Sequence, residues 1–173
     1  MPDTQLYLIS PPRLELSSFR KALEAALAAG EGFATAFQLR LKEADDSDIK
    51  KAIRELLPVA RARSAAFIIN DRPDLCAELK CDGVHVGQED LSSYRRKPVS
   101  SGKQALDSDL RRNDNIKEIR DIIGENAAIG VTCHASKHLA MEAGADFIAA
   151  ITAVWSHPGG AANAVKAFKN MLS

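Results

Sequence analysis

Gln38, Arg40 and Lys42 alternate with Leu39 and Leu41 in a stretch that begins Ala36-Phe37. Successive side chains of a strand point to opposite faces. Period two therefore puts the amide and both cations on one face and the leucines on the other. Arg offers a planar fork for phosphate and Lys a point charge, so the polar face is a candidate anion site; the plain alternative is a solvated strand end. Asn70-Asp71-Arg72 directly follows the apolar run Ala66–Ile69, and Gln88-Glu89-Asp90 follows Gly83–Gly87. If neighbouring strands bring Asp71 and Asp90 to the same end, two carboxylates and an amide suit Mg²⁺, a hard cation that keeps waters and positions for substrate phosphate. A helix cap at Asp71 and a loop acid at Asp90 would show the same residues. His85 shares the parity of Gly83 and Gly87, which fits either a satisfied core histidine or a substrate contact. Cys76, Cys81, Cys133, His134 and His138 match no standard zinc spacing, and the two histidines lack the Glu of HExxH. There is no P-loop, nucleophile elbow or GxGxxG fingerprint.

The elements that must position these residues read as strand-then-helix units. Strands are expected at Leu6–Ile9, Ala36–Arg40, Ala66–Ile69, Gly83–Val86, Ala128–Val131 and Phe147–Ile151. Helices are expected at Phe19–Ala29 with Gly30 as the C′ residue, from Asp45/Asp46/Ser47 through Ile49, Ile53, Leu56 and Leu57 to a stop before Pro58, at Leu75–Leu79, and at Ala161–Met171. This alternation implies an α/β fold with a parallel sheet and right-handed crossovers, either a (β/α) barrel or an open doubly wound sheet. In both, function sits at the C-terminal ends of the strands.

The chain has 173 residues, which suggests a single domain spanning 1–173. Lys plus Arg and Asp plus Glu are 23 each, so no global attraction to nucleic acid or anionic membrane is expected. Hydrophobic residues at 46% and charged residues at 27% suit a globular protein, and aromatics at 5% argue against stacking-based nucleic-acid recognition. No apolar run approaches the roughly 18 residues of a membrane span, and the start lacks the basic region of a signal peptide. Three cysteines are an odd number, and a reducing cytoplasm is the simplest expectation. The stretch Ser92–Asn115 is polar, with Arg95-Arg96-Lys97 and Arg111-Arg112, and breaks the rhythm as an insertion.

Together these segments resemble the thiamine phosphate synthase family. The matching runs are LYLISPP (Leu6–Pro12), AFQLRLK (Ala36–Lys42), FIINDRPDL (Phe67–Leu75), CDGVHVGQEDL (Cys81–Leu91), IGVTCH (Ile129–His134) and AGADFIAAITAVWSHP (Ala143–Pro158). The continuous run INDRPDLCAELKCDGVHVGQED is highly specific. The resemblance implies a (β/α) barrel of the TIM type, Mg²⁺, and a transferase of thiamine biosynthesis. Its reaction couples hydroxymethylpyrimidine diphosphate to hydroxyethylthiazole phosphate, giving thiamine phosphate and pyrophosphate. Carried over by motif, Gln38, Arg40, Lys42 and Asn70 contact the pyrimidine diphosphate, with Arg40 and Lys42 catalytic. Asp71 and Asp90 hold the metal. His85, Thr132, Ile151 and Thr152 complete the substrate-binding set, and Thr132 and Thr152 stand where the family commonly has Ser. Thiazole tautomerases share the fold and much of the sequence and use a His at the position of His134; they characteristically lose the two metal carboxylates that this chain keeps.

The resemblance also locates a shortage. A complete barrel needs roughly 200–250 residues. The family's TPTK-type phosphate loop after strand six and glycine pair after strand seven have no counterpart here, and the repeated Gly-Ala-Asp occurs once, at Gly144–Asp146. Ile148–Leu172 reads like strand eight and its helix. Strands six and seven are therefore expected to be missing, joined out near 144–148, which leaves about six strands of eight. The loss is roughly 60 residues, against a gain of roughly 20 in the insertion. Weak or no turnover is expected, with the magnesium half-site retained. A non-catalytic homologue that binds a phosphorylated ligand or a partner chain is the alternative, and a further copy of the chain is a candidate to fill the gap.

Overall fold

The computed structural model describes residues 5–87, 121–122, 124, 128–132 and 147–172. The elements in chain order are β1 (Gln5–Ile9), α1 (Leu16–Ala29), β2 (Ala34–Leu39), α2 (Asp46–Arg61), β3 (Ala66–Asn70), α3 (Pro73–Leu79), β4 (Gly83–Gly87), β5 (Ala128–Thr132), β6 (Phe147–Ala150), α4 (Thr152–Trp155) and α5 (Ala161–Leu172). The strands form one six-stranded sheet in the order β5-β4-β3-β2-β1-β6. Every ladder is parallel, so all C-terminal strand ends lie along one rim. The order is that of a (β/α) barrel wall read from its fifth strand back to its first, with the last strand returning to pair β1. The polar stretch 92–115 and the junction at 144–146 lie outside the described residues.

Alternation along the strands divides the sheet into two faces. Leu6, Leu8, Phe37, Leu39, Phe67, Ile69, Val84 and Val86 enter a single hydrophobic core with Phe19, Leu23 and Leu27 of α1, Ile53 and Leu56 of α2, and Val165 of α5. Each such side chain contributes about 1.5–3 kcal/mol on burial. Phe37 stands at its centre, with ring centroids 5.9 Å from Phe19 and 5.5 Å from Phe67. The opposite face carries Tyr7, Gln38, Ile68, Asn70 and His85. Burial raises the Tyr7 phenol well above its ordinary range, so it stays a neutral donor on this face.

Two local features shape the start of β2. The β1–β2 ladder pairs Leu6 with Ala34 but Tyr7 with Ala36, leaving Thr35 as an extra residue. The Thr35 hydroxyl donates to Gln5 Oε1 at 2.8 Å. This bulge advances β2 by one residue, so that Ile9 meets Gln38 at the rim. Gly30 closes α1 with φ −103°, not in the left-handed conformation of a C′ glycine. Its role is space: a Cβ there would lie 2.6 Å from Val165 Cγ1 and 2.8 Å from Ala34 Cβ, where α5 crosses the end of α1.

Several boundaries differ from the sequence expectation. α1 begins at Leu16, because the Glu15 carboxylate caps it by accepting from the backbone N–H groups of Ser17 and Ser18 at 3.0 and 2.8 Å. α2 does not stop before Pro58 but runs through it to Arg61. Val59 and Ala60 are buried beyond the proline, and their packing offsets the missing hydrogen bond. Asp45 caps α2 as expected, accepting from Asp48 N–H at 2.9 Å. α3 starts at Pro73, whose fixed φ and absent N–H suit a first helical position. The single turn α4 was not expected; its Trp155 Nε1–H donates to the Ile9 carbonyl at 2.6 Å and its indole lies 4.8 Å from the Phe19 ring.

Candidate active site at the C-terminal rim

The rim brings together residues from three adjacent strands. Gln38 is the next-to-last residue of β2 and only 1% exposed, a rare burial for an amide. Its Nε2 donates to Asn70 Oδ1 at 2.6 Å, and Asn70 Nδ2 in turn donates to Asp71 Oδ2. The relay thus ends on a carboxylate, which fixes the direction of both amides. Gln38 Oε1, also buried, has no hydrogen-bond partner among the described residues. A buried acceptor without a donor is costly, which makes this oxygen the point where a ligand N–H would be most rewarded.

Asp71 lies just beyond β3, with φ 55°. Few residues other than Gly adopt this conformation, although Asp tolerates it better than most. Its N–H donates to the His85 carbonyl at 2.8 Å, carrying the β3–β4 ladder one residue past the Asn70–His85 pair. The backbone of Asp71 is therefore tied to β4 while its side chain is tied to the amide relay. It is not a helix cap: Arg72 occupies that position and makes no side-chain cap bond. Arg72 instead clamps Asp46 and Asp74, meeting Asp74 Oδ2 at 2.6 Å, and this holds the start of α3 against the start of α2. Hydrogen bonds from Arg72 hold both carboxyls below their usual range.

His85 is half-buried on β4. Burial lowers its pKa; the Asp71 carboxylate opposes that shift and the Arg40 charge adds to it. The imidazole is thus held toward its neutral form between an anion and a cation. Arg40 lies one residue past the end of β2 and is half-buried, whereas Lys42 is exposed. The expected alternation of Gln38, Arg40 and Lys42 therefore holds as a strand only for Gln38; the cations follow on the loop. Leu41 is half-buried beside Leu14, Leu16 and Ala52.

The other expected site residues are more dispersed. Thr132 ends β5, its backbone paired with Gly87. Ile151 and Thr152 sit where β6 meets α4, on the same rim but across β1, with Ile151 half-buried and Thr152 exposed. Asp90 lies outside the described residues. Cys76 and Cys81 are buried free thiols, and no group of three or more His, Cys, Asp and Glu gathers among the described residues. Asp71 is the carboxylate that the amide relay ends on, and one such group fits a magnesium ion held mainly through water and ligand oxygens better than a closed protein cage.

In the sequence Ser10 reads only as the stop of the first strand. It is 1% exposed; its N–H donates to the Gln38 carbonyl at 2.9 Å and its Oγ accepts from Arg40 N–H at 2.8 Å. A hydroxyl at the first strand-to-loop junction, opposite a Gln-x-Arg run, is the signal that marks it.

The chain is similar in sequence and in fold to known proteins. The family model described as thiamine monophosphate synthase matches residues 6–104. The thiamine-phosphate synthase of Rhodospirillum centenum is 45% identical over 152 residues, covering 86% of this chain and 61% of that protein. The thiamine-phosphate synthase of Erythrobacter litoralis is 42% identical, covering 84% and 59%. The chain thus spans about three fifths of the length of these relatives. Among solved structures, the thiamine phosphate pyrophosphorylase from Pyrococcus furiosus superposes with a TM-score of 0.58 at 21% identity, covering 99% of this chain and 96% of that one. That likeness shows the fold alone. With the family model matching more than half of its residues, the chain belongs to the thiamine monophosphate synthase family.

Proposed function

We propose that the rim site binds hydroxymethylpyrimidine diphosphate with Mg²⁺ and that the chain is a thiamine phosphate synthase of reduced or lost turnover. The observation that carries the reading is the Gln38–Asn70–Asp71 relay, with a buried oxygen awaiting a donor at one end and a carboxylate at the other. An aminopyrimidine supplies the N–H for Gln38 Oε1. Asp71, with Asp90 as its expected partner, would hold the ion, which when bound neutralises charge developing on the departing pyrophosphate. Arg40 and Lys42 add cationic contacts to the same oxygens. His85, kept neutral, lines the site without adding a second fixed charge. Thr132, Ile151 and Thr152 stand at strand ends that suit the thiazole phosphate.

Departure of pyrophosphate leaves a pyrimidinylmethyl cation for the thiazole nitrogen to capture. The protein need supply no nucleophile, only alignment and charge stabilisation. The reduced length bears on turnover. Among the described residues β6 pairs with β1 as a last barrel strand pairs with a first, a pairing compatible with the loss of strands six and seven that the family resemblance implies. The same shortage favours the second reading, a non-catalytic homologue that binds a phosphorylated ligand, alone or with another copy of the chain completing the wall. A location in the reducing cytoplasm rests on the odd cysteine count. No helix among the described residues is long and apolar enough to cross a membrane.

A coupled assay for thiamine phosphate separates the two readings. Product above the uncatalysed background supports the synthase. Binding of the pyrimidine diphosphate with no product supports the homologue, and neither binding nor product contradicts both.

A further inference from the structure

In a continued parallel ladder, Ser10 N–H would donate to the Gln38 carbonyl and Arg40 N–H would donate to the Ser10 carbonyl. The first bond is present at 2.9 Å. The second is made to the side chain instead: Arg40 N–H donates to Ser10 Oγ at 2.8 Å. The hydroxyl substitutes for the backbone carbonyl as the chain turns away into Pro11-Pro12, and its own proton goes to the Pro11 carbonyl at 3.1 Å. Both proton and lone pair are used, and the side chain is 1% exposed, so water is poorly placed to replace it.

We infer that Ser10 is a positioning residue of the rim site, holding the backbone of Gln38 and Arg40 in strand register beyond the point where β1 ends. Pairing is thereby extended by one residue on β2 while β1 is free to leave. Arg40 departs the sheet at a fixed position, close enough to His85 for its charge to lower the imidazole pKa. Ala removes the acceptor, while Thr keeps it.

This inference rests on the proposal that Arg40 contacts the diphosphate, and two measurements keep the failures apart. The first is amide hydrogen exchange at Arg40 in the full chain. Ser10→Ala should raise it roughly tenfold and Ser10→Thr should leave it near wild type. The second is calorimetric titration of Mg²⁺ with inorganic pyrophosphate into wild type, Ser10→Ala, Ser10→Thr, Arg40→Met and the Ser10→Ala/Arg40→Met double variant. Ser10→Ala should weaken affinity roughly fivefold in the wild-type background and not at all beside Arg40→Met, with Thr restoring it. Equal loss in both backgrounds, or unchanged exchange at Arg40, overturns the positioning role while leaving the site reading intact. A wild-type chain that does not bind Mg²⁺–pyrophosphate overturns the site reading and, with it, the role of Ser10.

Discussion

The two ends of the sheet use the same device for different ends. At the C-terminal rim, Ser10 bonds a neighbouring strand through both its N–H and its side-chain oxygen. At the N-terminal rim, Asp82 does likewise: its N–H donates to the Phe67 carbonyl at 2.9 Å and its Oδ2 accepts from Phe67 N–H at 2.9 Å. Asp82 is further locked by Arg61, which meets its carboxylate at 2.9 Å and donates to the Lys80 carbonyl at 2.6 Å. The N-terminal clasp is closed and satisfied, and Gly30 seals the same end with no room for a methyl group. The C-terminal clasp leads instead to a relay with a buried oxygen left over. One rim is closed by satisfied bonds; the other carries unmet hydrogen-bonding capacity. This is the division of labour expected between the two faces of a barrel.

The predictions set these rims against each other. The largest stability loss is expected from Asp82→Ala, which strands the Phe67 N–H and an Arg61 contact. Chemical denaturation should show a loss of about 2 kcal/mol, with pyrophosphate binding unchanged. Gly30→Ala should follow at about 1–2 kcal/mol, since Val165 and the β2 backbone must give way, again without effect on binding. A binding defect in either variant would collapse the distinction between the rims.

Gln38→Leu should invert the pattern. Stability should change by less than about 1 kcal/mol, because an unsatisfied oxygen leaves together with one hydrogen bond. Affinity for the pyrimidine diphosphate should fall roughly tenfold.

The His85 effect is smaller and depends on pH. Its folded pKa is depressed by burial, so the unfolded chain binds the proton more readily. Its contribution to stability is full above the ordinary His range and is lost as pH falls through it toward the folded value. The denaturation midpoint should drop on acidification, and His85→Gln should flatten that dependence. The smallest effect is expected from Asp46→Asn at the exposed end of the Arg72 clamp, where solvent screens the pair and the denaturation midpoint should stay near that of wild type.

Much of this was legible in the residues. Every expected strand forms, because short apolar runs between turn signals have few other solutions in an alternating chain. Gln38, Asn70 and Asp71 stand out by their places at strand ends, their grouping with His85 is what the family resemblance implies, and the β2–β3 and β3–β4 ladders make their strands neighbours. What the sequence hid depended on tertiary detail. The Thr35 bulge has no local signature, yet it sets Gln38 opposite Ile9. Pro58 reads as a stop, but burial of Val59 and Ala60 carries α2 past it. Gly30 reads as a conformational cap, and only its distance to Val165 shows that it serves close approach. Ser10 reads as turn punctuation, because its value lies in bonds to residues about thirty positions away.

The proposed magnesium–diphosphate site at the C-terminal rim depends on Asp71. Titration of pyrophosphate into the full chain, with and without Mg²⁺, tests it most directly when wild type is compared with Asp71→Ala. Wild type should bind in a Mg²⁺-dependent manner and the variant should lose at least about tenfold in affinity. Equal binding by both proteins would contradict it.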